Sequence, residues 1–213
     1  LKADLITNVS HDIKTPLTSI INYVDLLKRE NIENEKAKDY IRVLDEKSQR
    51  LKQLTEDLVE ASKISPGNIK LEFMNLNLNE LVQQVNGEFA ERFEGRNLDL
   101  ICILQPEPLL IRADSRRIWR VLENLYVNVC KYAMPGTRVY VDAIKKDGKI
   151  QLSIKNISEN PLNFQADELT ERFIRGDVSR STEGSGLGLS IAKNLTVLQH
   201  GSFNIYLDGD LFK

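Results

Sequence analysis

The sequence predicts a helical hairpin followed by an α+β sandwich, and three observations lead to this fold class. Apolar residues recur every three or four positions through two long segments at the amino-terminal end. A polar break at residues 65–68 then separates these segments from the rest of the chain. Beyond the break, short β-rich runs alternate with amphipathic helical segments, a pattern typical of a sheet covered by helices. With 213 residues, the chain is long enough for two domains of modest size.

The first helix is predicted over residues 1–30, where apolar side chains form one stripe at helical spacing. The stripe consists of Leu1, Leu5, Val9, Ile13, Leu17, Ile20, Val24 and Leu27. His11 is two residues from both Val9 and Ile13, so it points away from the stripe toward solvent.

His11 has reactive neighbours on this helix. Asp12 follows it directly, and Lys14 and Thr15 lie on its face because they are three and four residues further on. Pro16 has no N–H, which leaves the carbonyl of Asp12 without its helical partner and predicts a bend beside the histidine. A solvated surface histidine is the ordinary interpretation, and a reactive site is the alternative that the neighbours favour.

A second helix is predicted over residues 35–64, after a polar turn at residues 31–34. Its stripe consists of Tyr40, Leu44, Leu51, Leu54, Leu58 and Ala61, with Lys47 interrupting the seam. Two helices with one stripe each bury too little surface alone, so we expect a homodimer in which two hairpins form a four-helix bundle. A monomeric hairpin packed on the rest of the chain is the alternative.

We therefore expect a dimerisation domain at residues 1–64, a linker at 65–70 and a second domain at 71–213. The strands of the second domain are predicted at residues 69–78, 98–104, 109–113, 138–145, 149–156 and 202–207, and from 211 onward. Its helices are predicted at residues 79–94, 115–134, 166–175 and 187–199. Asn79 is the expected cap of the first of these helices, and Asp114 or Ser115 of the second.

Composition excludes several classes of function. A net charge of −2 with mixed signs gives no basic footprint, so nucleic acid is not expected as a partner. Cys102 and Cys130 have no metal-ligand spacing, and we expect both to be reduced core residues. No apolar run is long enough to cross a bilayer, so this segment is expected to make no membrane contact. Because the chain starts at Leu1 inside a helical pattern, we expect it to be a piece of a longer protein.

Residues 117–132 predict a helix with two distinct faces. Ile118, Leu122, Leu125 and Val129 form its apolar stripe. Asn124, Asn128 and Lys131 fall on a neighbouring line, at spacings of four and three. Amides and an amine in a row suit phosphate oxygens and a hydrated Mg²⁺, which takes few protein oxygen ligands. A solvated helix face is the other interpretation.

A glycine-rich segment, E-G-S-G-L-G-L, occupies residues 183–189 directly before a predicted helix. Glycines let backbone N–H groups approach phosphates closely, and the helix N-terminus favours negative charge. A flexible connection is the alternative explanation for such a segment.

These segments together resemble one family. S-H-D-I-K-T-P-L at residues 10–17 resembles the phosphoacceptor box of the sensor histidine kinases of two-component systems. N-L-Y-V-N-V-C-K-Y at 124–132 resembles the family's N box, E-R-F-I-R-G-D at 171–177 its F box, and the glycine-rich segment its G2 box. The resemblance spans His11 to Gly188. It implies a HisKA-type dimerisation and phosphoacceptor domain followed by a GHKL-type ATP-binding domain.

The resemblance assigns roles to the N box and to the segments that follow it. It implies that Asn128 binds Mg²⁺ and that Asn124, Lys131 and Tyr132 contact ATP. Phe173 would anchor a mobile lid over the nucleotide by packing, and Arg175 would reach phosphate. The phosphate-binding residues of the G2 box would be Gly184, Gly186, Leu187 and Gly188.

One segment departs from the family pattern. The G1 box, D-x-G-x-G, is expected after the strand that ends near Lys155, where this chain has N-I-S-E-N at residues 156–160. Asn156 offers a side-chain oxygen to the adenine amino group, as the family's aspartate does, but in one amide orientation and without charge. Both glycines are missing, which changes the backbone options beside the adenine.

The activity implied is phosphoryl transfer from ATP to His11, with Asp12 as general base and Lys14 neutralising the incoming phosphate. The phosphate would then pass to an aspartate of a response-regulator receiver domain. Asp12 to Thr15 also resembles the E/D-x-x-T/N motif of members that dephosphorylate their regulator, with Thr15 positioning the attacking water. The domain is expected in the cytoplasm, its parent protein in the cell membrane.

Two other functions compete with this one. The degenerate G1 box is compatible with a weak or inactive kinase that acts as a regulator-binding or phosphatase module. A related ATPase of the chaperone or mismatch-repair kind shares the ATP-binding fold, but the helix with His11 argues against it.

Overall fold

A computed structural model describes residues 2–63, 70–162, 166, 169 and 187–213, with side chains described from residue 13 to 62 in the first helices. The chain divides into two compact units, Leu1–Asn68 and Ile69–Lys213. Apart from Lys70, the predicted linker lies outside the described residues, and so does the predicted helix at 166–175 apart from residues 166 and 169.

The first unit consists of two long helices, α1 (Lys2–Arg29) and α2 (Glu35–Lys63), joined by a short loop. Asn34 caps the N-terminus of α2, because its Oδ1 accepts a hydrogen bond from the N–H of Ala37 at 3.2 Å. Helix α1 continues through Pro16. Such a short connection makes the two helices antiparallel neighbours. Lys28 of α1 forms an ion pair with Asp45 of α2, with Nζ 2.6 Å from Oδ2.

The hairpin has a different seam from the one that the α2 stripe predicts. Leu17 and Val24 of α1 are buried, as are Ile41, Ser48 and Thr55 of α2, which follow one another at intervals of seven residues. The predicted stripe members Tyr40, Leu44 and Leu51 are exposed instead. Each predicted stripe is therefore only partly buried within the hairpin, and the rest of its apolar surface is exposed.

The second unit contains two sheets and three described helices. Its elements are β1 (Phe73–Asn77), α3 (Leu78–Gly95), β2 (Asp99–Leu104), β3 (Leu110–Asp114), α4 (Ser115–Tyr132), β4 (Arg138–Lys146), β5 (Lys149–Ile157), α5 (Gly188–Leu198), β6 (Leu207–Asp208) and β7 (Leu211–Phe212). Strands β1 and β3 form an antiparallel pair, and the other five form a sheet of order β2-β4-β5-β7-β6. Only β2 and β4 run parallel in that sheet, so it is a mixed sheet.

The core of this unit lies between one face of the larger sheet and helices α3 and α4. It is formed by Val82, Val85, Phe89 and Phe93 of α3, Leu122, Tyr126 and Val129 of α4, and Val139, Val141 and Ala143 of β4, with Leu78, Leu98, Leu109 and Ala133 at its margins. Alternate residues of β4 share a face of the sheet, so both helices cover the same face. This is the predicted α+β sandwich, which is confirmed.

Two local expectations are corrected, and of the two candidate caps of α4 the structure shows Asp114. The cap of α3 is Asn77, whose Oδ1 accepts from the N–H of Asn79 at 3.2 Å; Asn79 instead donates through Nδ2 to the carbonyls of Gln105 and Glu107, both at 3.0 Å. Residues 202–206 do not form a strand, since β6 begins only at Leu207; Tyr206, directly before it, exchanges backbone hydrogen bonds with Lys213 beside β7.

One of the two cysteines differs from expectation. Both are free thiols, but Cys102 is exposed on β2, an edge strand of the sheet, and so it is not a core residue. Cys130 is half-buried, and burial raises the pKa of its thiol to about 11. Among the described helices, none combines the length and apolar character that a membrane span requires.

Candidate active site

Helix α4 is fixed at its N-terminus by Asp114. Its Oδ1 accepts from the N–H groups of Arg116 and Arg117 at 3.0 and 3.2 Å, and its Oδ2 accepts from the N–H of Glu72 at 2.9 Å. Burial alone would raise the pKa of Asp114, but the hydrogen bonds from Glu72, Arg117 and Arg116 outweigh burial and lower it. The N–H of Asp114 donates to Gln199 Oε1 at 2.9 Å, which ties the start of α4 to the end of α5.

The rotation of α4 is fixed by its apolar face. Leu122, Tyr126 and Val129 are buried, whereas Ile118 and Leu125 of the predicted stripe are half-buried. Tyr126 contributes the largest fully buried side chain. Its hydroxyl donates to Asn86 Oδ1 of α3 at 2.6 Å, and its ring stacks on Phe93 with the centroids 5.7 Å apart. With this face held, the asparagines of α4 occupy a different side of the helix.

The N box and the G2 box meet where α4 packs against α5. Asn124 is buried, 9% exposed, and its Nδ2 donates to the carbonyl of Arg120 at 2.8 Å. A Cβ atom on Gly188, the first residue of α5, would lie 3.2 Å from Asn124 Oδ1. A larger residue there would displace the amide, so glycine permits the close approach. Leu187, directly before α5, is buried.

The other end of α4 meets the loop that follows β5. The N–H of Met134 donates to the carbonyl of Ile157, and the N–H of Glu159 donates to the carbonyl of Tyr132, both at 2.8 Å. Ala133 and Ser158 form an antiparallel bridge. Tyr132 of the N box is thereby held beside the segment that stands at the position of the G1 box.

Asn156 lies in that segment with its side chain only 3% exposed. Its Nδ2 donates to the carbonyl of Ile157 at 3.2 Å. Its Oδ1 is buried and has no hydrogen-bond partner among the described residues. A buried acceptor without a partner is costly, and a ligand with an N–H donor would satisfy it.

The side chains of the other predicted site residues of α4 differ in exposure. Asn128 and Tyr132 are half-buried and Lys131 is exposed. Lys131 has a polar partner within the protein. The predicted Phe173, Arg175, Gly184 and Gly186 lie outside the described residues.

The predicted phosphoacceptor residues lie in the first unit. His11 and Asp12 are part of α1, and their side chains lie outside the description. Lys14 and Thr15 are exposed on the same helix. Their carbonyls accept hydrogen bonds from the hydroxyls of Thr18 at 2.8 Å and Ser19 at 3.5 Å. Lys14 and Thr15 therefore present accessible polar groups one turn beyond the histidine.

The predicted nucleotide-site residues do not line an open cavity that the structure shows in the second unit. That cavity, of about 580 Å³, lies between α3 and the starts of β2 and β4, and none of the predicted residues lines it. Within the part of the chain whose side chains are described, no three His, Cys, Asp or Glu residues cluster as a metal site. Sequence reasoning also missed Arg96, which contacts the site region from the end of α3. Its partners are 37 and 63 residues away along the chain, and no local motif marks it.

Two family models match the chain. Residues 1–67 match the model described as His Kinase A (phospho-acceptor) domain. Residues 113–210 match the model described as histidine kinase-, DNA gyrase B- and HSP90-like ATPase. The first match ends at residue 67, one residue before the end of the first unit, and the second match lies within the second unit and covers both helices α4 and α5.

Curated relatives and solved structures are similar to the whole chain. Sensor protein VanSC of Enterococcus gallinarum is 32% identical over 95% of this chain, and sensor protein VanS of Enterococcus faecium is 31% identical over 98%. The chain spans 56% and 54% of these two relatives. The structure of full-length ShkA with AMPPNP has a TM-score of 0.82 at 22% identity, covering 98% of this chain and 44% of ShkA, and shares its fold.

A further structure, histidine kinase ThkA in complex with the response regulator TrrA, has a TM-score of 0.62 at 26% identity and covers 98% of this chain and 59% of that one. The chain thus combines a helical hairpin that matches the phospho-acceptor family model with a sandwich that matches the ATPase family model. The chain belongs to the sensor histidine kinases and comprises the catalytic core of that family.

Proposed function

We propose that this chain binds ATP in its second unit and uses it to phosphorylate His11 in the first. The observation that carries the proposal is the close approach of Gly188 to Asn124. It joins two segments, more than sixty residues apart in sequence, whose patterns resemble the N and G2 boxes. The N-terminus of α5 supplies a helix dipole for phosphate at this point.

Asn156 supports the binding of adenine. Its unpartnered Oδ1 suits the exocyclic amino group, which is a hydrogen-bond donor. Donation from Nδ2 to the carbonyl of Ile157 keeps the amide in the orientation that presents the oxygen. The neutral amide therefore takes the place of the family's aspartate in this proposal.

Mg²⁺ fits the donors of α4. Asn128 is the residue that would hold it through its amide oxygen, because Mg²⁺ retains most of its water and takes few protein ligands. When bound, the ion supplies neutralisation of the phosphate charge. Asn124 and Lys131 would orient the phosphate groups from the same helix.

The transfer needs positioning more than covalent chemistry from the protein. A neutral imidazole nitrogen of His11 donates its lone pair to the γ-phosphorus, the bond from phosphorus to the bridging oxygen breaks, and ADP leaves. Asp12 accepts the imidazole proton as general base. Lys14, exposed on the next turn, neutralises the incoming phosphate.

The test is incubation of the chain with Mg²⁺ and ATP labelled in the γ-phosphate. We expect acid-labile label on the wild-type chain and none on His11→Gln, because a glutamine amide is not nucleophilic toward phosphorus. Asn128→Ala should lose the label together with nucleotide binding. Acid-labile label on His11→Gln would overturn the assignment of the phosphoacceptor, and full activity of Asn128→Ala that of the metal ligand.

The phosphate is proposed to pass to an aspartate of a response-regulator receiver domain. The ThkA–TrrA complex supports this class of partner, because its kinase is similar to nearly the whole chain. Thr15 is proposed to position the water that later hydrolyses the regulator's phosphate. Thr15→Ala should abolish that dephosphorylation while autophosphorylation survives, and an unchanged dephosphorylation rate would contradict the role.

A homodimer is proposed from the exposed apolar faces of the hairpin. Ile20 and Leu27 of α1 and Leu44 and Leu51 of α2 are among its large exposed apolar side chains. Monomeric soluble proteins rarely leave such a contiguous face in water, and a second hairpin would complete a four-helix bundle.

A weak or inactive kinase that docks or dephosphorylates the regulator is the second candidate. Ser158 and Asn160 favour it, because they stand where the family pattern has glycine. Nucleotide titration together with the labelling assay separates the two candidates. Binding of ATP without label on His11 would support the second.

A further inference from the structure

Arg96 occupies the end of α3, where its side chain reaches two other parts of the second unit. The backbone N–H of Arg96 caps the C-terminus of α3 by donating to the carbonyls of Arg92 and Phe93 at 3.2 and 3.1 Å. Its Nη2 donates to the carbonyl of Ala133 at 3.1 Å and to Glu159 Oε2 at 2.8 Å. One guanidinium therefore joins α3, the residue after α4 and the loop after β5.

The loop that Arg96 holds is the one in which the family's glycines are missing. Two hydrogen bonds fix its backbone. The N–H of Ser158 donates to the carbonyl of Asp210 at 2.7 Å, and the N–H of Glu159 donates to the carbonyl of Tyr132 at 2.8 Å. The N–H of Asn160 lies 3.4 Å from Ser158 Oγ. A glycine loop draws on backbone freedom, whereas this loop is shaped by contacts with its neighbours.

Those contacts bear on the proposed base site from both sides. Tyr132 immediately precedes Ala133, whose carbonyl Arg96 binds, and Asn156 lies three residues before Glu159. Asn156 is paired with Phe212 of β7 on one side, and the segment that Arg96 and Glu159 clamp connects it to Tyr132 on the other. A shift of that segment by a fraction of an ångström would move the Oδ1 of Asn156 away from a hydrogen-bond donor on the base.

We propose that Arg96 and Glu159 form a positioning pair that holds the base-binding end of the nucleotide site in place. The inference rests on the proposed binding of ATP, and neither residue contacts the reacting phosphates. In this chain, the pair holds the backbone of residues 156–160 in the shape that the base site needs, although this loop lacks the two glycines of the family pattern. Loss of the pair should weaken binding of the nucleotide while the transfer step itself stays intact.

The effect should be moderate, because the ion pair is partly exposed to water. The side chain of Arg96 is 36% exposed and that of Glu159 45%, and exposed pairs are screened. The hydrogen bond from Arg96 to the Ala133 carbonyl adds to the effect of losing Arg96. We expect a rise of about three- to tenfold in the dissociation constant of ATP for Arg96→Gln, and a smaller rise for Glu159→Gln, which leaves the bond to Ala133.

The experiment measures three quantities on the 213-residue chain and its variants. These are the dissociation constant of ATP by calorimetry, KM and kcat of labelling at saturating Mg²⁺, and the thermal midpoint without nucleotide. Arg138→Gln is the matched control, because Arg138 also pairs with a carboxylate, Asp99 at 3.8 Å, in the same unit. Arg96→Lys keeps the charge and should recover part of the lost affinity.

The expected result is a parallel rise of the dissociation constant and KM for Arg96→Gln, with kcat within twofold of wild type and no change for Arg138→Gln. Unchanged ATP affinity in both Arg96→Gln and Glu159→Gln would overturn the pair. A fall in kcat and thermal midpoint at unchanged affinity would also overturn it, since that marks a purely structural role. If the wild-type chain itself binds no ATP, the proposed function fails instead.

Discussion

The two units of the chain differ in whether they enclose a fully buried apolar core. In the second unit the core is closed, and Val82, Leu122 and Val139 have no exposed surface. In the hairpin, Tyr40 is 66% exposed and Leu44 is 50% exposed. The burial of apolar surface is the dominant favourable contribution to folding, so the sandwich is stabilised from within, whereas the hairpin has surface left to bury against a partner.

The interface between helices and sheet in the second unit is also more apolar than the interface between the two helices of the hairpin. The helices of the sandwich meet the sheet through aromatic and branched side chains, including the cluster of Phe89, Phe93 and Tyr126. The hairpin places Ser48 and Thr55 at buried positions, where their hydroxyls donate to carbonyls of their own helix. A seam with small polar groups contributes less hydrophobic stabilisation, which makes the hairpin the unit more dependent on assembly.

Removal of a core ring tests the self-sufficiency of the sandwich. Phe89→Ala should lower the free energy of unfolding of the second unit by about 4 kcal/mol, because it leaves a cavity beside Tyr126. Trp119 is the single tryptophan of the chain and lies in α4, so its fluorescence during urea unfolding follows this unit. Leu110→Ala, at an exposed position, is the control. A loss below about 1 kcal/mol would contradict a closed core.

A charge on the exposed face of the hairpin tests its dependence on a partner. Leu44→Glu should weaken the proposed homodimer by about 3 kcal/mol, roughly a hundredfold in dissociation constant, because symmetry places the carboxylate twice in the interface. Sedimentation equilibrium measures this change. Lys36→Glu, on exposed polar surface of the same helix, should leave the association unchanged. Equal association of Leu44→Glu and wild type would place the interface elsewhere.

The order of elements could be predicted from the sequence because periodicity is a local property. Alternation in β4 and helical spacing in α4 located both to within a few residues. The cap of α3 was misplaced by two residues, because Asn77 and Asn79 are equally good candidates by type. Only the carbonyls of the loop after β2, which bind Nδ2 of Asn79, decide between them.

The candidate site likewise has local features that could be predicted from the sequence and long-range contacts that could not. The segments with Asn124 and Gly188 could be found from their patterns, and the structure places them so close that a Cβ atom at position 188 would lie 3.2 Å from Asn124 Oδ1. Arg96 could not be found, because its ion pair with Glu159 joins positions 63 residues apart. The exposure of Leu44 could not be predicted either, since one helical stripe does not reveal which of two partners it faces.

Neutralising the cap of α4 tests how firmly the sandwich holds its site helix. Asp114→Asn should destabilise the second unit by about 2 kcal/mol at neutral pH, because an amide cannot accept from Glu72 and from the helix N-terminus at once. The pKa of Asp114 is lowered in the folded state, so its contribution is fully present above the ordinary carboxyl pKa of 3.8 and is lost as the pH falls through the lower, folded value. The difference between wild type and variant should therefore be constant from pH 7 to about pH 5 and shrink below pH 4.

Urea unfolding followed by Trp119 fluorescence across that pH range measures the difference. Asp99→Asn is the control, since the side chain of Asp99 is 68% exposed. A difference that persisted unchanged below pH 3 would show that Asp114 acts through shape alone and that its charge contributes nothing.

The smallest effect is expected in the hairpin seam. Thr55→Val replaces a buried hydroxyl, bonded to the carbonyl of Leu51 at 2.8 Å, by a methyl group of similar shape. That carbonyl keeps its ordinary helical partner, so no buried group is left unsatisfied, and the added apolar surface should stabilise the hairpin by about 0.5 kcal/mol. Thr18→Val is the matched control, because Thr18 makes the same bond to Lys14 at an exposed position and should give no gain. Thermal unfolding followed by circular dichroism at 222 nm compares the two variants. A loss of more than about 1 kcal/mol in Thr55→Val alone would mean that the hydroxyl is required in the seam, and the weakness of the hairpin would then be a property of its packing rather than of its polar residues.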